Sequence, residues 1–196
     1  MSRAKENFTL YQEFKQPLDK TQFEAAKKKY LASLVTKPFK KLEGSTLEII
    51  NLGKRKARCF GPYRNLSYFE ILNRVASDLV MLEGTTKLFN GEVAAIKPKT
   101  ILLKLGNQGG ADIEIQLKDG SRVYGEAFNA SQSLAKIKMR HALKIIIERI
   151  LKQNLKVKKG VVFYNAEINH VLKNISNNLE KDNQDIDIVR LSCKIR

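Results

Sequence analysis

Two acidic residues on one short stretch, Asp112 and Glu126, carry the clearest chemistry in this sequence. Residues 112–118 (Asp-Ile-Glu-Ile-Gln-Leu-Lys) alternate polar and apolar, Asp119-Gly120 turns the chain, and 121–128 (Ser-Arg-Val-Tyr-Gly-Glu-Ala-Phe) return it. That is the pattern of a β-hairpin. A three-residue loop, Lys118-Asp119-Gly120 with the glycine in the left-handed conformation, pairs Leu117 with Ser121. Asp112 then falls opposite Glu126, Ile113 opposite Gly125, and Ile115 opposite Val123. One face is apolar and the other holds Asp112, Glu114, Tyr124 and Glu126. A two-residue Asp-Gly turn is the competing register. It would set Glu126 opposite Ile113 and turn Asp112 to the other face, and the hydrophobic pattern disfavours it. Directly opposed residues lie roughly 5 Å apart at Cβ, so two carboxylates there repel. A divalent cation with oxygen ligands relieves that repulsion. The plainer alternative is a pair of exposed strand acids matched by lysines.

The surrounding elements must hold this hairpin in place. A strongly apolar helix runs from Asn65 or Ser67 to Glu83, closed by Gly84, with Glu70 in its first turn. Residues 101–105 form a buried strand and Gly106–Gly110 a loop. After the hairpin, a long helix spans 131–153 with Ser131 as N-cap and Leu134, Ile137, His141, Ile145 and Ile146 as its inward face. A short strand at 160–164, a helix at 167–180 and an edge strand at 186–191 complete the order α-β-β-β-α-β-α-β. Such an order implies an α/β or α+β sandwich with helices packed on a sheet. Upstream, Phe23, Ala26, Tyr30, Leu31 and Leu34 have helical spacing within 18–36, with Asp19 or Thr21 as cap. Residues 37–65 hold Pro38, Gly44, Gly53, Pro62 and the run Lys54-Arg55-Lys56-Ala57-Arg58, a strand-and-loop region with a basic patch. The expected organisation is a basic N-terminal arm and helix, 1–60, packed on a core domain, 61–196.

At this point the sequence resembles a known group. Gly110-Ala111-Asp112-Ile113-Glu114-Ile115 followed by Tyr124-Gly125-Glu126-Ala127-Phe128 is similar to the PD-(D/E)XK nuclease superfamily, which includes many type II restriction endonucleases. The likeness covers residues 66–165. It implies a restriction-endonuclease-like core, a mixed central sheet flanked by helices. It also implies metal-dependent hydrolysis of DNA phosphodiesters, with Asp112 and Glu126 as metal ligands, Glu70 as the third acid, and Mg²⁺ as cofactor, Mn²⁺ substituting. Restriction enzymes are often dimers, so the resemblance implies a homodimer. The sequence departs from the pattern where a lysine should follow Glu126 by two residues: Phe128 stands there. Lys136, Arg140 and Lys144 recur every four residues along the next helix, and Lys136, nearest its start, is the expected replacement. Lys138 and Lys104 are its rivals. A second registration on Glu114-Ile115-Gln116 ranks lower, because 99–105 offers no acid to pair with it.

Composition agrees with a polyanion partner. The chain has 196 residues, 43% of them hydrophobic, with 36 Lys and Arg against 20 Asp and Glu, a net charge of +16 and a pI near 9.8. Residues 1–60 and 130–196 each carry 14 basic and 6 acidic residues, whereas 61–129 carry 8 of each. Cationic flanks around a neutral, acid-bearing middle suit a protein that grips phosphates and places a metal. Lys54, Arg55, Lys56, Arg58, Arg64, Arg140 and Lys144 are the expected contacts to double-stranded DNA. No apolar run reaches the ~20 residues of a membrane span, and no apolar segment follows the N-terminus as in a secretory signal. Cys59 and Cys193 make no disulfide framework, so a cytoplasmic protein is expected. With His141 and His170 the only histidines and no CxxC, a zinc finger or ribbon is excluded. Neither GxSxG nor a Gly-Lys-Ser/Thr phosphate loop occurs. Two other functions fit the charge: a catalytically inactive nuclease-like protein that binds DNA or RNA, and a subunit whose basic surface meets an acidic partner. Tyr11, Tyr30, Tyr63 and Tyr68 are either stacking platforms for bases or core.

Overall fold

The computed structural model describes residues 7–35, 45–55, 58–106, 111–153, 158–172 and 182–194. Lys56, Pro38, Gly44, Gly109, Gly110 and positions 173–180 of the expected C-terminal helix lie outside them. The elements in chain order are α1 (Tyr11–Phe14), α2 (Lys20–Val35), α3 (Thr46–Arg55), β1 (Arg58–Phe60), β2 (Tyr63–Leu66), α4 (Tyr68–Phe89), β3 (Pro98–Leu103), β4 (Ile113–Leu117), β5 (Arg122–Phe128), α5 (Gln132–Lys152), β6 (Lys159–Asn165), a 3₁₀ turn (Ala166–Ile168), α6 (Asn169–Leu172) and β7 (Asp187–Cys193). Five strands form one mixed sheet in the order β3-β4-β5-β6-β7. The β3–β4 and β4–β5 pairs are antiparallel; β5–β6 and β6–β7 are parallel. A separate two-stranded ribbon, β1–β2, stands apart from it.

The hairpin adopts the three-residue loop. The Leu117 N–H donates to the Ser121 carbonyl at 2.9 Å, and the Gly120 N–H to the Leu117 carbonyl at 3.0 Å. Gly120 has φ of +84°, a conformation costly for any side chain with a Cβ. Ile113 pairs with Gly125 and Ile115 with Val123. The slipped register is thereby excluded.

Two apolar cores lie on opposite faces of the sheet. The first joins α4 (Ile71, Val75, Leu82) to Ile101, Ile113, Ile115, Val123 and Val161, and takes in Phe8, Phe14, Leu18, Phe23, Ala26 and Tyr30. Residues 7–35 are thus part of the same core as the sheet. Leu18 exchanges two 2.8 Å backbone hydrogen bonds with Ile101, adding a bridge to the edge strand β3. Asp19 starts α2 with reciprocal bonds: its Oδ1 accepts from the Gln22 N–H at 2.9 Å and the Gln22 Oε1 from its own N–H at 3.0 Å. Tyr30 and Tyr63, weighed above as stacking platforms, are core residues with no exposed surface.

The second core lies under α5 and corrects the expected face of that helix. Ala135, Met139, Ala142, Leu143, Ile146, Ile147 and Ile150 are buried, whereas Leu134 and Ile137 are 49% and 63% exposed and His141 is exposed. Apolar residues populate two stripes of this helix. The stripe holding Ala135 and Ala142 wins because small side chains let the helix approach β5 and β6 closely. Gly84 also departs from expectation. It lies in mid-helix, and α4 runs five residues further to Phe89. A Cβ at position 84 would stand 2.3 Å from the Phe163 ring, so the glycine serves close packing and does not end the helix.

Candidate active site

Asp112 and Glu126 meet at the open end of the hairpin. Asp112 immediately precedes β4, held by a 2.8 Å bond from the Lys104 N–H to its carbonyl. Its own N–H donates to Glu126 Oε1 at 3.3 Å, and its Oδ2 accepts from the Ala127 N–H at 3.2 Å. Glu126 is buried. Burial pushes both carboxyls above their usual range, Glu126 to about 8 because the Asp112 charge adds to the burial. The Ala127 N–H, Lys104 and Lys138 pull Asp112 back toward its ionised form.

Through its bond from the Asp112 N–H, Glu126 adjoins the wall of an open cavity of about 510 Å³ between α4 and the sheet end, formed by residues that include Asp112, Ala127, Lys104, Glu70, Arg74 and Asp78. Glu70 reaches it because Ser67 caps α4, accepting from the Glu70 N–H at 3.2 Å, so the first helical turn opens over the sheet end. Its carboxylate accepts from Arg74 at 2.6 Å. Arg74 also donates to the Gly106 carbonyl at 3.0 Å and lies 5.8 Å from the Tyr63 ring centre. Lys104 donates to Glu114 at 2.6 Å, and Arg149 stands 3.7 Å from the same oxygen. Glu114 is therefore held in an ion-pair cluster.

Sequence reasoning passed over Asp78, Arg74 and Lys104's place in the cavity. Asp78 is buried and its Oδ2 accepts from both the Tyr30 and Tyr63 hydroxyls, the first at 2.7 Å. Burial pushes Asp78 up to about 7 against these two donors, which favour its charge. A signal existed: Ile71, Val75 and Leu82 form the inward stripe of α4, and position 78 falls on it. An acid on an apolar stripe needs a partner, and the two tyrosines supply it.

Lys136 is exposed on α5 and does not line the cavity; Lys104 does. Phe128 packs in the second core with its ring 6.3 Å from that of Tyr164 at 24°. Arg140 and Lys144 are exposed on α5, Lys144 standing 3.8 Å from Glu148. Lys54 and Arg55 are exposed at the end of α3, Arg64 on β2, and Arg58 is half-buried on β1. None of these lines the cavity.

Among the described residues no three His, Cys, Asp or Glu side chains converge on a shared ion position. Asp112 on the cavity wall, with Glu126 bonded to its N–H, nonetheless places one carboxylate beside room for water and a second next to it. That suits Mg²⁺, which commonly takes one or two carboxylates and keeps several waters. No protein-family model, curated protein or solved structure matches this chain.

Proposed function

We propose that the cavity is the active site of a metal-dependent endonuclease that hydrolyses DNA phosphodiesters, of the restriction type. The observation that carries this reading is the cavity whose wall brings Asp112, tied to Glu126 through its N–H, together with Glu70, Arg74 and Lys104. Asp112 and Glu126 hold the ion, and Mg²⁺ or Mn²⁺, when bound, neutralises phosphate charge and acidifies water. Its charge, when bound, would also oppose the burial and the Asp112 charge that raise Glu126.

The chain's own groups do the rest. Lys104 takes the place of the lysine that Phe128 does not provide: its ammonium already acts electrostatically on both acids and is released from Glu114 toward a phosphate oxygen. Arg74, fixed by Glu70 and Gly106, offers a pre-oriented fork to a second phosphate oxygen. Glu70 keeps that fork in place and presents a carboxylate to the attacking water. The basic flanks hold the duplex backbone, a sequence-blind contact that weakens with salt. A homodimer acting in the cytoplasm belongs to the same proposal. Among the described residues, no helix is long and apolar enough to cross a membrane.

A second reading, a nuclease-like protein that binds DNA or RNA without cutting it, draws on two observations: Phe128 is built into the core, and Lys104 is engaged by Glu114. Cleavage of supercoiled plasmid and genomic DNA in Mg²⁺, Mn²⁺ or chelator, with wild type, Asp112→Asn and Lys104→Ala, separates the two. Metal-dependent products lost in both variants support the nuclease. Salt-sensitive binding without cleavage under any metal supports the binding protein.

A further inference from the structure

The outer face of α5 has no role in the chemistry above, yet it exposes large apolar side chains between cations. Successive helical residues turn by about 100°. With Ala135, Met139, Leu143 and Ile146 against the sheet, Leu134, Ile137 and His141 project on the opposite side. The exposure of Ile137, 63%, and Leu134, 49%, makes this an apolar crest. Lys136, Arg140 and Lys144 run along one flank of the crest and Lys138 lies on the other, all exposed. α5 packs on β5, the strand that carries Ala127 to the cavity wall.

This pattern selects its occupant. A second copy laid on the crest would bring like-charged flanks together, which opposes self-association. A polyanion with apolar surface between two rows of charge fits instead. A helix with side chains is about 10–12 Å across, and the B-DNA major groove is about 12 Å wide with phosphates on both rims. The A-form RNA major groove is too narrow to admit it. We infer that the N-terminal half of α5 enters the major groove of duplex DNA, with the flanking cations on the two phosphate rims and Leu134 and Ile137 against base edges. The apolar crest would then meet groups such as the thymine methyl and bias the choice of sequence. This rests on DNA being the substrate of the neighbouring cavity, but it is read out without catalysis.

The test measures binding in chelator, between about 50 and 200 mM salt, to a mixed-sequence DNA duplex of about 20 bp, two half-sites' reach, and to an RNA duplex of the same sequences. Four proteins are compared by fluorescence anisotropy: wild type, Lys136→Ala/Arg140→Ala/Lys144→Ala, Leu134→Ser/Ile137→Ser, and Lys97→Ala/Lys99→Ala, exposed positions in the neutral middle of the chain, as control. Thermal melts verify folding, which substitutions at exposed positions should leave intact. The triple variant should lose about 2–3 from the slope of log K against log salt. The crest variant should keep the slope and lose the sequence bias seen when the bound DNA is sequenced. Wild type should prefer DNA to RNA, and the control should match wild type. An unchanged slope in the triple variant, equal binding of RNA, or an unaltered bias in the crest variant overturns the inference. Plasmid cleavage in Mg²⁺ keeps it separate from the nuclease reading. Cleavage by wild type with α5 variants binding normally removes only the groove helix. Loss of binding in the α5 variants without cleavage by wild type removes only the nuclease. No DNA binding by wild type removes both.

Discussion

At the closed end of the β4–β5 hairpin, the Asp119 carboxylate is held ionised in the open. Its Oδ1 accepts from the Ser121 N–H at 2.9 Å and hydroxyl at 2.6 Å, which lowers its pKa below the usual carboxylate range. At the open end of the same hairpin, burial pushes Asp112 and Glu126 the other way, and the Asp112 charge adds to the shift of Glu126. The first arrangement stabilises the turn that sets the register. The second opposes folding of the ionised protein and is relieved by a cation. A strand pair gains nothing in stability from the second arrangement, and costly charge of this kind clusters at functional sites.

The widest separation between the two ends should appear in activity. Asp112→Asn keeps the shape of the site but removes a charged ligand; since a metal contributes several kcal/mol to such a reaction, cleavage should fall ~10³-fold or more. An equivalent change at Asp119 should leave the plasmid assay unaffected. If Asp112→Asn cuts normally, the contrast between the ends has no catalytic meaning.

Next in size is Phe128→Lys, which introduces the lysine carried at this place by the nuclease pattern that the sequence resembles. Because position 128 lies in the second core, stacked on Tyr164, the lysine loses the packing of a buried ring and buries a charge. Denaturant unfolding should show a loss of about 3–5 kcal/mol, with no gain in cleavage. A stable, faster enzyme would mean that Lys104 is not the site's lysine.

A smaller effect separates the ends by pH. The folded-state value for Glu126, about 8, lies above its ordinary 4.5. Its contribution to stability is therefore fully present below about pH 4.5 and is lost as pH rises through about 8. Glu126→Gln should flatten that decline, raising Tm by a few degrees at alkaline pH and leaving it unchanged in acid, while abolishing cleavage. Asp78, pushed up to about 7, gives a decline of the same sign, and it should persist in this variant. Added Mg²⁺ should stabilise wild type and not Glu126→Gln. The smallest change is at the turn: Gly120→Ala, at φ +84°, should cost about 1 kcal/mol in unfolding experiments and leave metal binding intact.

The hairpin was legible because Asp119-Gly120 marks the turn and the alternation of Ile113, Ile115 and Val123 decides between the two registers that turn allows. The helix–sheet order was legible from the same apolar periodicity. α5 was misjudged because apolar residues occupy two of its stripes, and the choice between them is made by the sheet it packs on, through the small Ala135 and Ala142. Lys104 and Arg74 were beyond local reading. Lys104 enters the cavity through the β3–β4 pairing and Arg74 through the docking of α4, both contacts between residues far apart in sequence. The Tyr30 and Tyr63 hydroxyls on Asp78 belong to the same class, since they span 48 and 15 positions.

The glycine under Phe163 sets tolerances for the whole molecule. α4 leans on the sheet at Gly84, fourteen residues, or about 21 Å, along the rod from Glu70. A methyl group there must shift either the ring or the rod, and a small tilt at that fulcrum becomes a larger sweep at the far tip, where Glu70 and Arg74 border the cavity. The alignment of the acid-bearing end is thus calibrated from a distance, by an atom that is missing. A map of damaging substitutions should accordingly show two centres, one at the carboxylates and one at a contact with no chemistry of its own.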